Sequence, residues 1–275
     1  MAKDEYVYST SQLAGYYGLT RKGLAYYEEK GLIVPARGEN QKYRVYSLSD
    51  CYNLYHTKLY ENCGYTLSET ARSLREDPTE AVAANLQGHI VRMRRRLAVQ
   101  QRMLERAEHI ASTLRRSLDG PVFEIVQSPA FYRLFVRTYQ EEHTSDPEET
   151  AEFARWNEFI PIDVASLRYD RERILRGEEQ LNVNIGNIML AEDFQELGCD
   201  LSARVEYIPS RRCLYTVLVG DAERINHRGW LRDACDCLRS RGLRLCGDPV
   251  TALLAVTCDG GTRIRLDEAW FPIGE

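Results

Sequence analysis

Apolar residues near the start of the chain recur at helical spacing in two short runs. In "YSTSQLAGYYGLTRKGLAYYEEKGL", residues 8–32, Leu13, Ala14 and Tyr17 share one face of the first run. Leu24 and Tyr27 share a face of the second, three residues apart. Ser9 or Thr10 can cap the first helix, and Thr20 the second, which runs to about Lys30 and stops at Gly31. Gly18 suits the turn between them. Arg21, Lys22, Ala25 and Tyr26 are left outside. Two such helices around a tight turn predict a helix-turn-helix, the second helix suited to a major groove. "VPARGENQKYRVYSLSD" follows, punctuated by Pro35, Gly38 and Asn40, with a short strand over residues 43–46. This predicts a small wing with Arg37, Lys42, Tyr43 and Arg44 at its edge, residues suited to phosphate contacts. Ser47 or Ser49 caps a third helix to about Asn62, and "GYTLSETARSL" starts a fourth.

A far longer helix is predicted from after Pro78 to about Leu118, where "DGP" stops it. Steps of four and three along it place Leu86, Ile90, Met93, Leu97, Gln100, Leu104, Ala107, Ala111, Leu114 and Leu118 on one seam. Only Gln100 is polar, and the other faces are charged, as in "RMRRRLAVQQR". That is the pattern of a two-stranded coiled coil, here a rod of roughly 60 Å at ~1.5 Å per residue.

Past this helix the period shortens. "FEIVQSPAFYRLFV" (123–136) resembles "RVEYIPSRRCLYTV" (204–217), and each leads to a helix with a tryptophan, Trp156 and Trp230. Strand-like segments follow each: "LNVNIGNIML" after the first, "VTALLAV" and "TRIRLDEAWFPI" after the second. Two strand-helix-strand-strand repeats predict an α+β domain with a pseudo-two-fold cleft. In the closing segment, Ile264, Leu266, Glu268 and Trp270 form the row that faces a core. A carboxylate in an apolar row costs several kcal/mol to ionise alone. Glu268 therefore stays protonated, pairs with a buried arginine such as Arg204 or Arg212, or awaits a cation. Aromatic walls attract cations as well. Trp270 shares the row, and Trp156, Tyr169, Tyr207, Tyr215 and Phe135 are the candidate neighbours.

Charge divides the chain as the periodicity does. Residues 1–118 hold 18 Lys and Arg against 13 Asp and Glu, a net of +5. Residues 119–275 hold 18 against 28, a net of −10. A basic first part and an acidic second part imply different partners. No apolar run approaches the ~20 residues of a membrane span, and the first residues lack a signal-peptide stretch. Eight scattered cysteines without a CxxC pair read as reduced thiols. A cytoplasmic protein is expected, with no cofactor and no metal.

"YSTSQLAGYYGLTRKGLAYYEEKGLI", "YRVYSLSD" and "CGYTLSETARSL" stand in order over roughly residues 6–75 and resemble the MerR family of bacterial transcription regulators. The resemblance implies DNA contacts from Arg21, Lys22, Tyr26, Tyr27, Tyr43 and Arg44, with Thr20, Arg37 and Lys42 beside them. Tyr27 also fits a packed core position. Where the family usually has Arg before the tyrosine pair, this chain has Ala25. The resemblance further implies an antiparallel homodimer through the long helix, and activation at a promoter, with RNA polymerase, by distorting double-stranded DNA. The second half resembles the GyrI-like effector-binding domain, most clearly in "VEYIPSRRCLYTVLV", "RSRGLRLCGDP" and "RLDEAWFPI". That resemblance puts Glu268 under a ligand, four residues before Pro272.

The expected order is a winged helix-turn-helix, otherwise all-α, over 1–77, a dimerisation helix over 78–119 and the GyrI-like domain over 120–275. The expected function is a regulator sensing a lipophilic, cationic small molecule. Two alternatives compete. A metal or oxidant trigger fits poorly, because residues 112–198 hold no Cys. Hydrolysis by Glu268 with Tyr207 or Tyr215 lacks a nucleophile–base motif.

Overall fold

The computed structural model describes residues 8–37, 43–139 and 146–274. The chain divides into two compact units, residues 1–98 and 99–275.

The first unit starts with β1 (Tyr8–Ser9), α1 (Thr10–Tyr16) and α2 (Arg21–Glu29). Ser9 caps α1 in a reciprocal pair with Gln12, and the Thr20 side chain accepts from the Gly23 amide to start α2. Next come β2 (Ala36–Arg37), β3 (Arg44–Tyr46), α3 (Leu48–Asn62) and α4 (Leu67–Arg75). Ser47 caps α3 and Thr66 caps α4, again as reciprocal boxes, with Asp50 and Glu69. The three strands pair antiparallel in the order β1-β3-β2, so the unit is not all-α outside its wing hairpin. The two-residue β1 is too short to show a period. Leu13, Leu24, Ile33, Tyr46 and Leu54 close the core. Gly31 ends α2 at φ 66°, a backbone conformation that strains any L side chain, whereas the Arg75 guanidinium 2.5 Å from a Cβ there could move aside.

Helix α5 (Thr79–Leu118) runs 40 residues and belongs to both units. Its seam positions Met93, Leu97, Leu104, Ala107, Ala111 and Leu118 are exposed, and Leu86, Ile90 and Leu114 are half-buried. Exposure reaches 70% at Leu97 and 86% at Leu118. A second stripe, offset by about a residue, packs on the rest of the second unit through Val99, Met103, Arg106 and Thr113.

The second unit contains β4 (Phe123–Gln127), β5 (Phe131–Thr138), α6 (Pro147–Asn157), β6 (Val164–Tyr169), α7 (Arg171–Arg176), β7 (Val183–Leu190), α8 (Ala191–Leu197) and β8 (Val205–Ile208). It continues with β9 (Arg212–Asp221), α9 (Arg232–Ser240), β10 (Arg244–Leu245), β11 (Val250–Asp259) and β12 (Thr262–Gly274). One antiparallel nine-stranded sheet has the order β4-β9-β12-β11-β6-β7-β5-β8, with β10 on β12. Two strand-helix-strand-strand units mirror each other in it. In β5-α6-β6-β7 the third strand lies between the other two, and so it does in β9-α9-β11-β12, with β6 and β11 meeting at the centre. Trp156 lies in α6 as expected, whereas Trp230 lies in a 3-10 turn just ahead of α9.

Strand β12 is covered on both faces. Ala269 and Phe271 enter the core under α9, with Tyr169, Leu218 and Leu231. Trp270 enters a second core with Phe131, Tyr215, Val250 and Ala252. The row opposite Glu268 is therefore buried at this end too. Asp267 within it is held by Arg265 Nε at 2.8 Å and the Thr251 hydroxyl at 2.7 Å. Gly186 on β7 fits the closest approach in the sheet: a Cβ there would lie 2.1 Å from the Leu134 carbonyl oxygen.

Candidate functional sites

The first unit presents basic and aromatic side chains around α2 and the wing. Arg21 and Lys22 stand exposed on the first turn of α2, and Arg21 Nη2 donates to Ser11 Oγ at 3.0 Å. Tyr26 is exposed beneath the Lys30 ammonium, 5.3 Å from its ring centre. Arg37 and Arg44 face each other across the β2–β3 pair, and Tyr43 beside them is 75% exposed. Arg44 also meets Glu28 at 3.0 Å, which fixes the wing strand against α2. Lys42 lies outside the described residues. Thr20, exposed, serves as the cap.

Tyr27 resolves toward packing. It is buried, its hydroxyl donates to Glu61 at 3.0 Å, and Lys58 Nζ donates to it at 2.8 Å. A DNA contact from its ring would need that network broken. Tyr16, Tyr52 and Tyr55 are exposed aromatics that the sequence reading did not single out.

The second unit holds a cavity of about 280 Å³ between α5 and the sheet. Phe131, Ile162, Val164, Ile188, Met189, Leu190, Ala252 and Trp270 give it apolar walls. Glu268 lines it, 1% exposed, between Ala252 on β11 and Val217 on β9. Both of its carboxylate oxygens are engaged from α5. Arg106 Nη1 donates to Oε1 at 2.7 Å, and His109 Nε2 lies 2.8 Å from Oε2. The Tyr215 hydroxyl reaches Oε2 at 3.4 Å. Burial pushes the Glu268 carboxyl up, but the His109 hydrogen bond and the Arg106 charge outweigh it and hold the group below the usual carboxylate range. Glu268 is thus ionised and internally paired. Its partners are neither Arg204, which meets Asp146 and Glu149, nor Arg212.

One turn before Arg106, Arg102 is gripped by Asp193 at 3.2 Å and Glu196 at 2.9 Å on α8, with Glu105 at 3.3 Å. Burial raises the Asp193 carboxyl above its ordinary range. Asp163, between wall residues Ile162 and Val164, is pushed up to about 7 by burial, against the hydrogen bond it accepts from Asn187.

Of the predicted pocket residues, Glu268 and Trp270 line the cavity, and Tyr215 packs on Trp270 with ring centres 5.8 Å apart. The others lie elsewhere. Tyr169 is wholly buried on the opposite face of the sheet, bonded to the Ile225 carbonyl. Trp156 packs on Phe194 in a separate core. Tyr207 is exposed on β8 and borders a smaller cavity of about 110 Å³, walled by the other side of Phe131 and Trp270. Phe135 is half-buried at a register shift in β5, and Phe131, four residues earlier on the strand, supplies the aromatic wall. Arg106 and His109 were not singled out. The signal for Arg106 was the second stripe of α5, Val99, Met103, Arg106, Ile110 and Thr113, hidden among charges; half-exposed His109 stands beside that stripe and carried none.

Among the described residues, no group of three or more His, Cys, Asp and Glu side chains is placed to hold a metal ion, and no helix is long and apolar enough to cross a membrane. None of the eight cysteines forms a disulfide.

Residues 8–77 match the model of the MerR HTH family regulatory proteins, so the first unit carries a MerR-type helix-turn-helix. The HTH-type transcriptional activator TipA of Streptomyces coelicolor is 32% identical over 101 residues, 37% of this chain and 40% of that protein. Heavy metal-dependent transcription regulator 2 of Rhizobium meliloti is 28% identical over 99 residues, 34% of this chain and 67% of that protein. The chain thus spans about two-fifths of the length of TipA. Among solved structures, EcmrR in its complex with DNA gives a TM-score of 0.34 at 15% identity, over 98% of this chain and 100% of that one.

Proposed function

We propose that this protein is a dimeric, ligand-responsive transcription regulator that binds promoter DNA and activates by distorting it for RNA polymerase. Residues 1–77 read the DNA, residues 78–119 dimerise, and residues 120–275 form an effector-binding domain of the GyrI-like kind. The match over residues 8–77 and the exposed basic face of α2 and the wing support DNA binding. The exposed apolar seam of α5 supports a second copy, since an unpartnered row of Leu97, Leu104 and Leu118 is costly in water.

One observation carries the ligand reading: an ionised, fully buried carboxylate at an apolar cavity, with its hydrogen-bond partners Arg106 and His109 drawn from α5. A structural ion pair needs no cavity beside it. The cavity residues include four carboxylates, Glu105, Glu192, Asp193 and Glu268, against Arg102, Arg106 and His109. That balance favours a lipophilic cation. Ligand control further requires that the ligand bind one conformation of the regulator better than the other.

The test joins both halves. Duplexes selected by the purified protein from a random pool are footprinted with and without lipophilic cations. The expected result is a two-fold symmetric site whose footprint changes with cation in the wild type and not in Glu268→Gln. A protein that selects no duplex, or a footprint no cation alters, overturns the reading.

A further inference from the structure

The cavity's carboxylate already has a cation. We propose that Arg106 is a resident competitor for the ligand's positive charge: the ligand binds by taking its place at Glu268, and release of Arg106 is the step by which the cavity acts on α5. This inference rests on the ligand reading above.

The geometry of Arg106 suits a replaceable partner. Only Nη1 reaches Glu268, at 2.7 Å, while Nε and Nη2 are buried without an acceptor. Arginine–carboxylate pairs frequently engage both forks in parallel. Here one hydrogen bond is made and two buried donors are stranded, and each stranded donor opposes the resting position. Arg102 shows the contrast. It meets Asp193, Glu196 and Glu105 together, so it holds α5 to α8 whether or not the cavity is filled. Anchor and latch stand one turn apart on the same helix.

Exchange also solves an electrostatic problem. A cation that added beside the pair would meet the like charge of the Arg106 guanidinium, and one that displaced nothing could not reach Oε1. Replacing Arg106 keeps Glu268 paired throughout. The freed guanidinium has Glu105 and Glu192 at the same cavity, both well exposed, to move toward. An anion or a neutral ligand cannot make this trade.

Two substitutions separate competition from support. Arg106→Met keeps an apolar stem and removes the competitor. Glu268→Gln removes the contested charge. Both break the latch without ligand. The probe is tetraphenylphosphonium, with the isosteric anion tetraphenylborate as control, followed by tryptophan fluorescence because Trp270 lines the cavity. Amide exchange over residues 103–113 is read in parallel. Arg106→Met is expected to bind the cation roughly tenfold or more tightly than wild type, and Glu268→Gln roughly tenfold or more weakly. Unliganded, both should show the exchange pattern of cation-bound wild type. If Arg106→Met does not fold, Arg106→Gln carries the same expectation.

Weaker or unchanged cation binding on removing Arg106 overturns the proposal, because a supporting residue or a ligand contact behaves that way. So does an exchange pattern in Glu268→Gln equal to that of unliganded wild type. Silence of both probes in wild type and in Arg106→Met alike refutes the cavity as a cation site altogether, a separate failure.

Discussion

Asp163 should make the second unit more stable in mild acid than in mild base. It lies in the loop between α6 and β6, 2% exposed, and its neighbours Ile162 and Val164 are both cavity wall. Asn187 Nδ2 donates to one carboxylate oxygen, while the other is buried without a partner. Burial raises the group from 3.8 to about 7. The folded state therefore keeps its proton over a range where the unfolded chain has lost it. The stabilisation is complete below pH 4 and is lost as pH rises through 7. A shift of about 3 units at 1.36 kcal/mol each is worth roughly 4 kcal/mol as an upper figure. Asp163→Asn removes the titration and keeps an acceptor for Asn187. Urea unfolding followed by tryptophan fluorescence reports the relevant unit alone, because Trp156, Trp230 and Trp270 all lie in it. At pH 4 wild type and variant should differ by less than about 1 kcal/mol, and at pH 8 the variant should be more stable by about 2–4 kcal/mol. Asp267, also raised by burial, and Glu268, lowered by its partners, titrate in both proteins and cancel in the difference. Equal pH slopes in the two proteins, or a variant weaker at pH 8, would refute the assignment.

Two further outcomes follow from exposed positions. Leu97→Glu with Leu104→Glu puts carboxylates on the α5 seam without touching a buried side chain, so sedimentation should show the proposed dimer for wild type and monomer for the variant, with the melting of the second unit unchanged; an undisturbed dimer would place the interface elsewhere. Ala25→Arg restores a cation beside Tyr26 on the outer face of α2; DNA affinity should rise roughly tenfold at low salt and the salt slope should steepen by about one per protomer, and a slope that stays put would mean the position does not meet the phosphates.

How far the sequence could be read depends on how local each signal is. The start of α2 at Thr20 and its stop at Gly31 rest on side chains within four residues of the backbone they serve. The α5 boundaries rest on a long periodic run between two prolines. Such features need no knowledge of the fold. The mirrored repeats were legible for the same reason, through the likeness of residues 123–136 to residues 204–217. What failed was non-local. Glu268 shows an odd carboxylate, but its partner Arg106 is 162 positions away and sits among arginines that look like a solvated face. Alternation along β12 predicts one buried row. It cannot tell that α9 covers the other row as well, where Asp267 is wholly buried. The aromatics fared worst, because Trp156, Tyr169 and Trp270 all read as core and only the sheet decides which core.

The two stripes of α5 limit what a ligand can do to it. Arg106 and Ala107 are adjacent in sequence, about 100° apart around the helix at 3.6 residues per turn. One faces Glu268 and the other lies on the exposed seam. A helix is stiff in torsion, so a roll that follows loss of the Glu268 pair must turn Ala107 and Ala111 as well. Both are small residues, at positions where a partner helix can approach closely and would feel a small rotation most. Arg102, held to α8 one turn away on the same face as Arg106, opposes such a roll, so whatever release of Arg106 contributes must work against that anchor.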